Sequence, residues 1–150
     1  MFMRCGGWFV KGDVVIRNEM IHETRIIPVD GRPHLGATIR SYMEDSRGRW
    51  EGQTLVVDTT NFNDYANYIG PGGRYPSYSR DTRLTERFTR IDADTLRYEA
   101  TVDDPRTWTR SWTVALPLKR DPSYYFFEFA CHEQNYSMPH MLKGARIGEN

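Results

Sequence analysis

Apolar residues recur along most of this chain with the two-residue period of a β-strand, not the longer period of a helix. Leu96, Tyr98, Ala100 and Val102 alternate with Arg97, Glu99, Thr101 and Asp103, which predicts a strand with one buried and one solvated face. "LTERFTRI", "LRYEATV", "WTRSWTVAL" and "YYFFEFAC" follow one another as strand candidates, separated by "DADT", "DDPRT" and "PLKRDPS". Asp and Pro in those separators favour tight turns, so the second half is predicted to be an antiparallel meander. In its third strand Trp108, Trp112, Val114 and Leu116 share one face.

The first half is less regular. Residues 14–27, rich in β-branched side chains, read as strand up to Pro28, and "VDGRPH" turns at Asp30-Gly31. Residues 35–47 have room for one helical turn. Residues 48–62 predict a hairpin that turns at Glu51-Gly52 and runs on as strand through 54–60. Residues 63–80 form a long loop carrying Gly70-Pro71-Gly72-Gly73 and four tyrosines, Tyr65, Tyr68, Tyr75 and Tyr78. A loop of that length in a compact domain usually serves function. Only 137–146 reads as helix, with Pro139 in its first turn and Gly144 near its end. Seven or eight antiparallel strands predict one mainly β domain over 1–150. The expected form is a small closed or nearly closed β-barrel, lipocalin-like or a curved sandwich, which leaves few free edges and can hold one small ligand.

Composition narrows the partners. The 150 residues suit a single core. Twenty basic and 20 acidic residues cancel, which disfavours a nucleic-acid surface. Arg outnumbers Lys 17 to 3; this suits carboxylate or aromatic ligands, although genomic base composition explains it as well. No apolar run reaches the roughly 20 residues of a membrane span, and "MFMRCGGWFVKGD" lacks the features of an export signal. A soluble chain is expected, compatible with a homodimer. Cys5 and Cys131 permit one disulfide without implying it.

The densest polar run is "CHEQNY", at the end of the last predicted strand. His132 and Glu133 are candidate acid–base groups, with Glu128 and Asn135 beside them as ligand contacts. The plainer reading is that they cap the strand. On a regular strand His132 and Glu133 face opposite sides, so only a twist or bulge would aim both at one pocket. His22 is a further acid–base candidate, sharing a face with Met20 and Ile26, while Arg25 shares the other with Glu19 and Glu23. The turn contributes Asp30 as a catalytic candidate, and Arg32 and His34 as substrate contacts. Arg25 or Arg32 would hold a carboxylate or oxyanion. Trp50, Tyr68 and Tyr75 offer stacking surfaces for a planar or carbohydrate-like ligand. No cofactor is expected. His22, His34 and His132 with a Glu could hold a divalent metal, but their spacing matches no metal signature. A phosphate-binding glycine loop and a nucleophile elbow are both missing from the sequence.

Four blocks, "MIHETRIIPVDGRPH", "DSRGRWEGQTLVVDTTNFND", "ERFTRIDADTLRYEATVDDPRTWTRSWTVALPL" and "FEFACHEQNY", occur in this order and resemble a large bacterial family of uncharacterised proteins. The resemblance spans about 14–146. It implies that the blocks belong to one recurring design, and it implies no catalytic residues. Members of that family are often longer at the N-terminus and exported, and residues 1–13 depart from that region.

Three functions fit these features. The first is a small-molecule enzyme (lyase, isomerase or hydrolase) using His/Glu acid–base chemistry in an aromatic-lined cavity. The second is a lipocalin-like binding protein without chemistry. The third is a metal-binding protein.

Overall fold

The computed structural model describes residues 6–10, 12–19, 24–42, 44–63, 69–70, 73–74, 78–127 and 136–147, with backbone alone over 6–10, 69–70 and 73–74. Its strands are β1 (Gly6–Val10), β2 (Asp13–Arg17), β3 (Thr24–Pro28), β4 (Asp45–Glu51), β5 (Thr54–Thr60), β6 (Ile69–Gly70), β7 (Gly73–Arg74), β8 (Arg83–Arg90), β9 (Thr95–Asp103) and β10 (Trp112–Lys119). One helix follows, α1 (Ser137–Ile147).

Among the described residues the strands pair antiparallel throughout, with one isolated parallel bridge between Ser41 and Phe62. β1-β2-β3 form one sheet, β10-β9-β8-β5-β4 a second, and β6-β7 a two-residue ribbon. The meander is therefore present, with β8, β9 and β10 as consecutive neighbours. Among the described residues no closed barrel is found; β10 and β4 are the two edges of the large sheet.

The hairpin β4–β5 turns at Gly52, whose φ of 60° suits the first position of a two-residue loop. Register fixes the faces of the large sheet. Gly48, Val57, Glu86, Ala100 and Val114 lie in one row across its inner face, and Trp50, Leu55, Phe88, Tyr98 and Leu116 in the next. The small sheet lies over the β4–β5–β8 end of this face. Val14, Ile16 and Ile27 pack there against Leu55 and Val57, with Val29 and Phe88 at the margin. Gly48 is what allows the approach. A Cβ at Gly48 would lie 2.8 Å from Val29 Cγ1 and 3.0 Å from Ile27 Cγ2. The outer face is polar, laced by Arg49–Glu51, Arg87–Glu51 and Arg97–Glu99 pairs.

Several expectations need correction. The run 14–27 is not one strand: β2 and β3 pair antiparallel with each other, so the chain reverses between Arg17 and Thr24. β-branched content signalled strand on both sides of a turn that it could not mark. The faces change accordingly. Ile26 is 62% exposed, whereas Arg25 and Ile27 point to the core side. β1 was not expected at all. No helical turn forms over the described part of 35–47; a tight turn (Ile39 N–H to Gly36 O, 2.9 Å) precedes β4, which begins at Asp45. Tyr124–Phe127 were expected in a strand and lie in none. Two of the four meet the C-terminal end of β2 instead: the Tyr124 hydroxyl donates to Glu19, and the Arg17 guanidinium sits 4.5 Å over Phe126. Helix α1 forms where expected, with no buried residue. Among the described residues no helix is long and apolar enough to cross a membrane.

Candidate functional site

Among the described residues two non-glycine positions adopt left-handed backbone, Glu44 (φ 55°) and Asn61 (φ 61°). Such conformations cost energy that surrounding contacts must offset, and they tend to mark functional geometry. Here they flank one cross-strand pair, because Asp45 opens β4, Thr60 closes β5, and the two lie opposite each other. Asn61 uses its side-chain amide to hold the carbonyls of Leu35 and Gly36, at 3.2 and 3.4 Å. Arg40 donates to the Phe62 and Arg80 carbonyls. These bonds fold the loop after β3 back over the ends of β4 and β5.

That fold-back delivers His34 to two carboxylates. Its Nδ1 lies 2.8 Å from Asp45 Oδ2, and its Nε2 lies 3.5 Å from Asp58 Oδ2. Asp45 is buried, and its bonding is specific. Oδ2 also accepts the Leu35 N–H at 2.8 Å, and Oδ1 faces the Arg47 guanidinium. A carboxylate that already accepts at both oxygens takes a donor from His34, so in the neutral ring Nδ1 carries the proton and Nε2 the lone pair. The Thr60 hydroxyl lies 3.3 Å from Nδ1. Asp58 is met by the Thr85 hydroxyl at 3.4 Å and Arg83 Nε at 3.9 Å. At 3.5 Å, Asp58 is too distant for a good hydrogen bond to the ring but near enough to attract an imidazolium. The His34 side chain keeps 27% exposure, as does that of Asp58.

A second constellation occupies the inner face. Arg25 reaches across from β3 and grips Glu86 with both terminal nitrogens, at 2.6 and 3.1 Å. The Tyr98 hydroxyl donates to Glu86 Oε1 at 2.9 Å. Burial pushes the Arg25 guanidinium down, and the charge and hydrogen bond of Glu86 more than offset it, so it titrates above its ordinary value.

The remaining sequence candidates divide into two groups. Asp30 and Arg32 sit in the exposed turn, clamped to each other. Arg32 donates through its backbone N–H and side chain, and these bonds lower the Asp30 carboxyl to about 2. Trp50 is half-exposed at the far end of β4, on the face opposite His34. His22, Tyr68, Tyr75, Glu128, His132, Glu133 and Asn135 lie outside the described residues, as do Cys5 and Cys131. Among the described residues no group of three or more His, Cys, Asp or Glu is placed to hold a metal ion.

Asp45, Asp58 and Glu86 were not singled out from sequence. Glu86 had a signal, since it interrupts the apolar alternation between Leu84 and Phe88. Asp58 had a weaker one, as a charge inside "TLVVDTT". Nothing local announced that either would meet a residue 24 or 61 positions away.

Comparison with known protein families, with curated proteins and with solved structures finds no match.

Proposed function

We propose that this protein is a small-molecule enzyme whose acid–base group is His34. One observation carries the reading: a part-exposed imidazole held at Nδ1 by a buried carboxylate, with its other nitrogen 3.5 Å from a second carboxylate. Asp45 fixes the ring and its tautomer, which is the task of the carboxylate in His–Asp pairs generally. Nε2 would take a proton from water or a substrate hydroxyl. The imidazolium so formed lies between Asp45 and Asp58, whose charges stabilise it while the proton is held. The same ring then returns the proton to the leaving atom. The Thr60 and Thr85 hydroxyls suit a small polar organic substrate, carbohydrate-like compounds included. Hydrolysis would use Nε2 as base on water, whereas elimination and isomerisation would use the same base on a carbon-bound proton. The architecture we read with it is a curved, nearly closed barrel or sandwich, supported by the packing of β3 across Gly48.

The test is a panel of aryl esters, lactones, glycosides and enolisable carbonyl compounds, assayed with the wild-type protein, His34→Gln and Asp45→Asn. General acid–base groups contribute about 10²–10⁴-fold, so the active substrate should lose at least about 100-fold on His34→Gln. Turnover that His34→Gln leaves undiminished would contradict the assignment.

A further inference from the structure

Helix α1 gathers its apolar residues into one stripe. Met138, Met141, Leu142 and Ala145 fall at i, i+3, i+4 and i+7, the spacing that brings side chains onto a single helical face. In a globular protein such a stripe normally faces a core. Here it faces none: no residue of α1 is buried, and Met138, Met141 and Leu142 keep 61%, 62% and 52% exposure. The rest of the helix is cationic. Lys143 and Arg146 stand on it with His140, and α1 contains no Asp or Glu. Among the described residues neither Lys143 nor Arg146 is matched with a carboxylate. Elsewhere the pattern is different, since Arg25, Arg32, Arg47, Arg49, Arg87 and Arg97 each pair with one. The whole chain has a formal net charge of zero, so the positive charge of α1 is a local feature.

The occupant of this face must offer apolar depth and negative charge together. Pairing α1 with its counterpart in a second copy would add like charge to like charge, with no carboxylate on either helix. An anionic bilayer surface supplies both needs: acyl chains beneath the stripe and headgroup phosphates around the cations. We propose that α1 docks the protein reversibly on an anionic lipid surface. The helix lies in the interface plane with Met138, Met141 and Leu142 downward, while Lys143 and Arg146 reach the headgroups through their flexible stems. Arg146 follows Leu142 by four residues and so borders the stripe. Tyr136, 64% exposed just before the helix, adds an aromatic residue of the type enriched at headgroup depth. At 1.5 Å per residue α1 is about 16 Å long, half the roughly 30 Å of a hydrocarbon core, so it rests on the membrane and does not span it. Docking does not depend on the chemistry proposed at His34.

The test is co-sedimentation of the full chain with two kinds of vesicle, phosphatidylcholine alone and phosphatidylcholine mixed with phosphatidylserine. The mixed vesicles should bind roughly 30-fold more tightly, the increment of two cations near an anionic surface. The double variant Lys143→Gln/Arg146→Gln should erase that preference. Leu142→Gln should weaken binding to the mixed vesicles several-fold. All three positions are exposed, so the melting temperature should not move and lost binding cannot be ascribed to unfolding. Equal binding to the two vesicles, or none to the mixed ones, overturns the proposal. So does a preference that survives the double variant, or binding that Leu142→Gln leaves unchanged. Soluble polyglutamate bound as tightly as the mixed vesicles would point to an acidic protein partner and overturn it too.

Discussion

Asp104 and Asp45 are both buried carboxylates, one at the end of β9 and one at the start of β4, yet their surroundings suit different work. Asp104 is 1% exposed and accepts five bonds: from the Ser79 N–H and hydroxyl, the Thr82 and Thr107 hydroxyls, and the Arg106 N–H. Burial pushes its carboxyl up, but the hydrogen bonds from Thr107, Ser79 and Thr82 more than offset this and hold it well below the usual carboxylate range. Each donor is an amide or an aliphatic hydroxyl, none of which ionises near neutral pH. That cluster is an anchor, tying the 78–82 loop to the β9–β10 connection. Asp45 also holds a loop to strand ends, but one of its donors is an imidazole. The bond made at Nδ1 decides what Nε2 can do. A buried carboxylate is therefore read by the chemistry of its donors, and burial alone says little.

Mutations should separate the two. Asp104→Asn should have the largest effect on stability. It converts an acceptor of five bonds into a group that must also donate, at a cost of about 3 kcal/mol in urea unfolding. Its pH dependence has a defined sign. The folded-state carboxyl is lowered, so its stabilisation is present above the ordinary value of 3.8 and is lost as pH falls through the lower folded value. Acid unfolding of the wild-type protein should steepen below that point, and Asp104→Asn should flatten it. Turnover at the His34 site should survive in molecules that remain folded.

Asp45→Asn should cost less stability, about 2 kcal/mol, because Arg47 keeps partial access to water and the Ser46 carbonyl as an acceptor. Its effect on turnover should be the larger one, about 10²-fold or more, since the amide can donate to Nδ1 and reverse the tautomer. His34→Gln should change stability by under about 1 kcal/mol while removing the activity. Asp30→Asn should do least. The Asp30–Arg32 clamp is exposed, so the melting temperature at neutral pH should be unchanged within error, and turnover with it.

The meander was legible because each strand carries its own period. Leu96 to Val102 and Trp112 to Leu116 alternate cleanly, and register places them on one face. The reversal inside 14–27 was not legible. A composition of Val and Ile describes two short strands as well as one long one, and the sequence between Arg17 and Thr24 contains no glycine or proline to mark the reversal. The aromatic run at 124–127 illustrates a different limit: it signalled burial, and rings can pack on a sheet without joining its ladder. At the site, His34 and Arg25 were recognisable as single residues of suitable chemistry. Their partners Asp45, Asp58 and Glu86 come from other strands through loop closure and cross-sheet contact, which local pattern does not encode. The left-handed Asn61 that holds the loop down is a property of backbone geometry, and the sequence shows only an asparagine able to tolerate it.

The central claim concerns one proton. Nitrogen-15 shifts of the His34 ring, recorded in folded protein with the imidazole neutral, report directly which nitrogen carries it. The account predicts a protonated Nδ1 and a bare Nε2 in the wild-type protein, with the Nε2-protonated form gaining in Asp45→Asn. A wild-type ring protonated mainly at Nε2, or a tautomer that Asp45→Asn does not move, would contradict it.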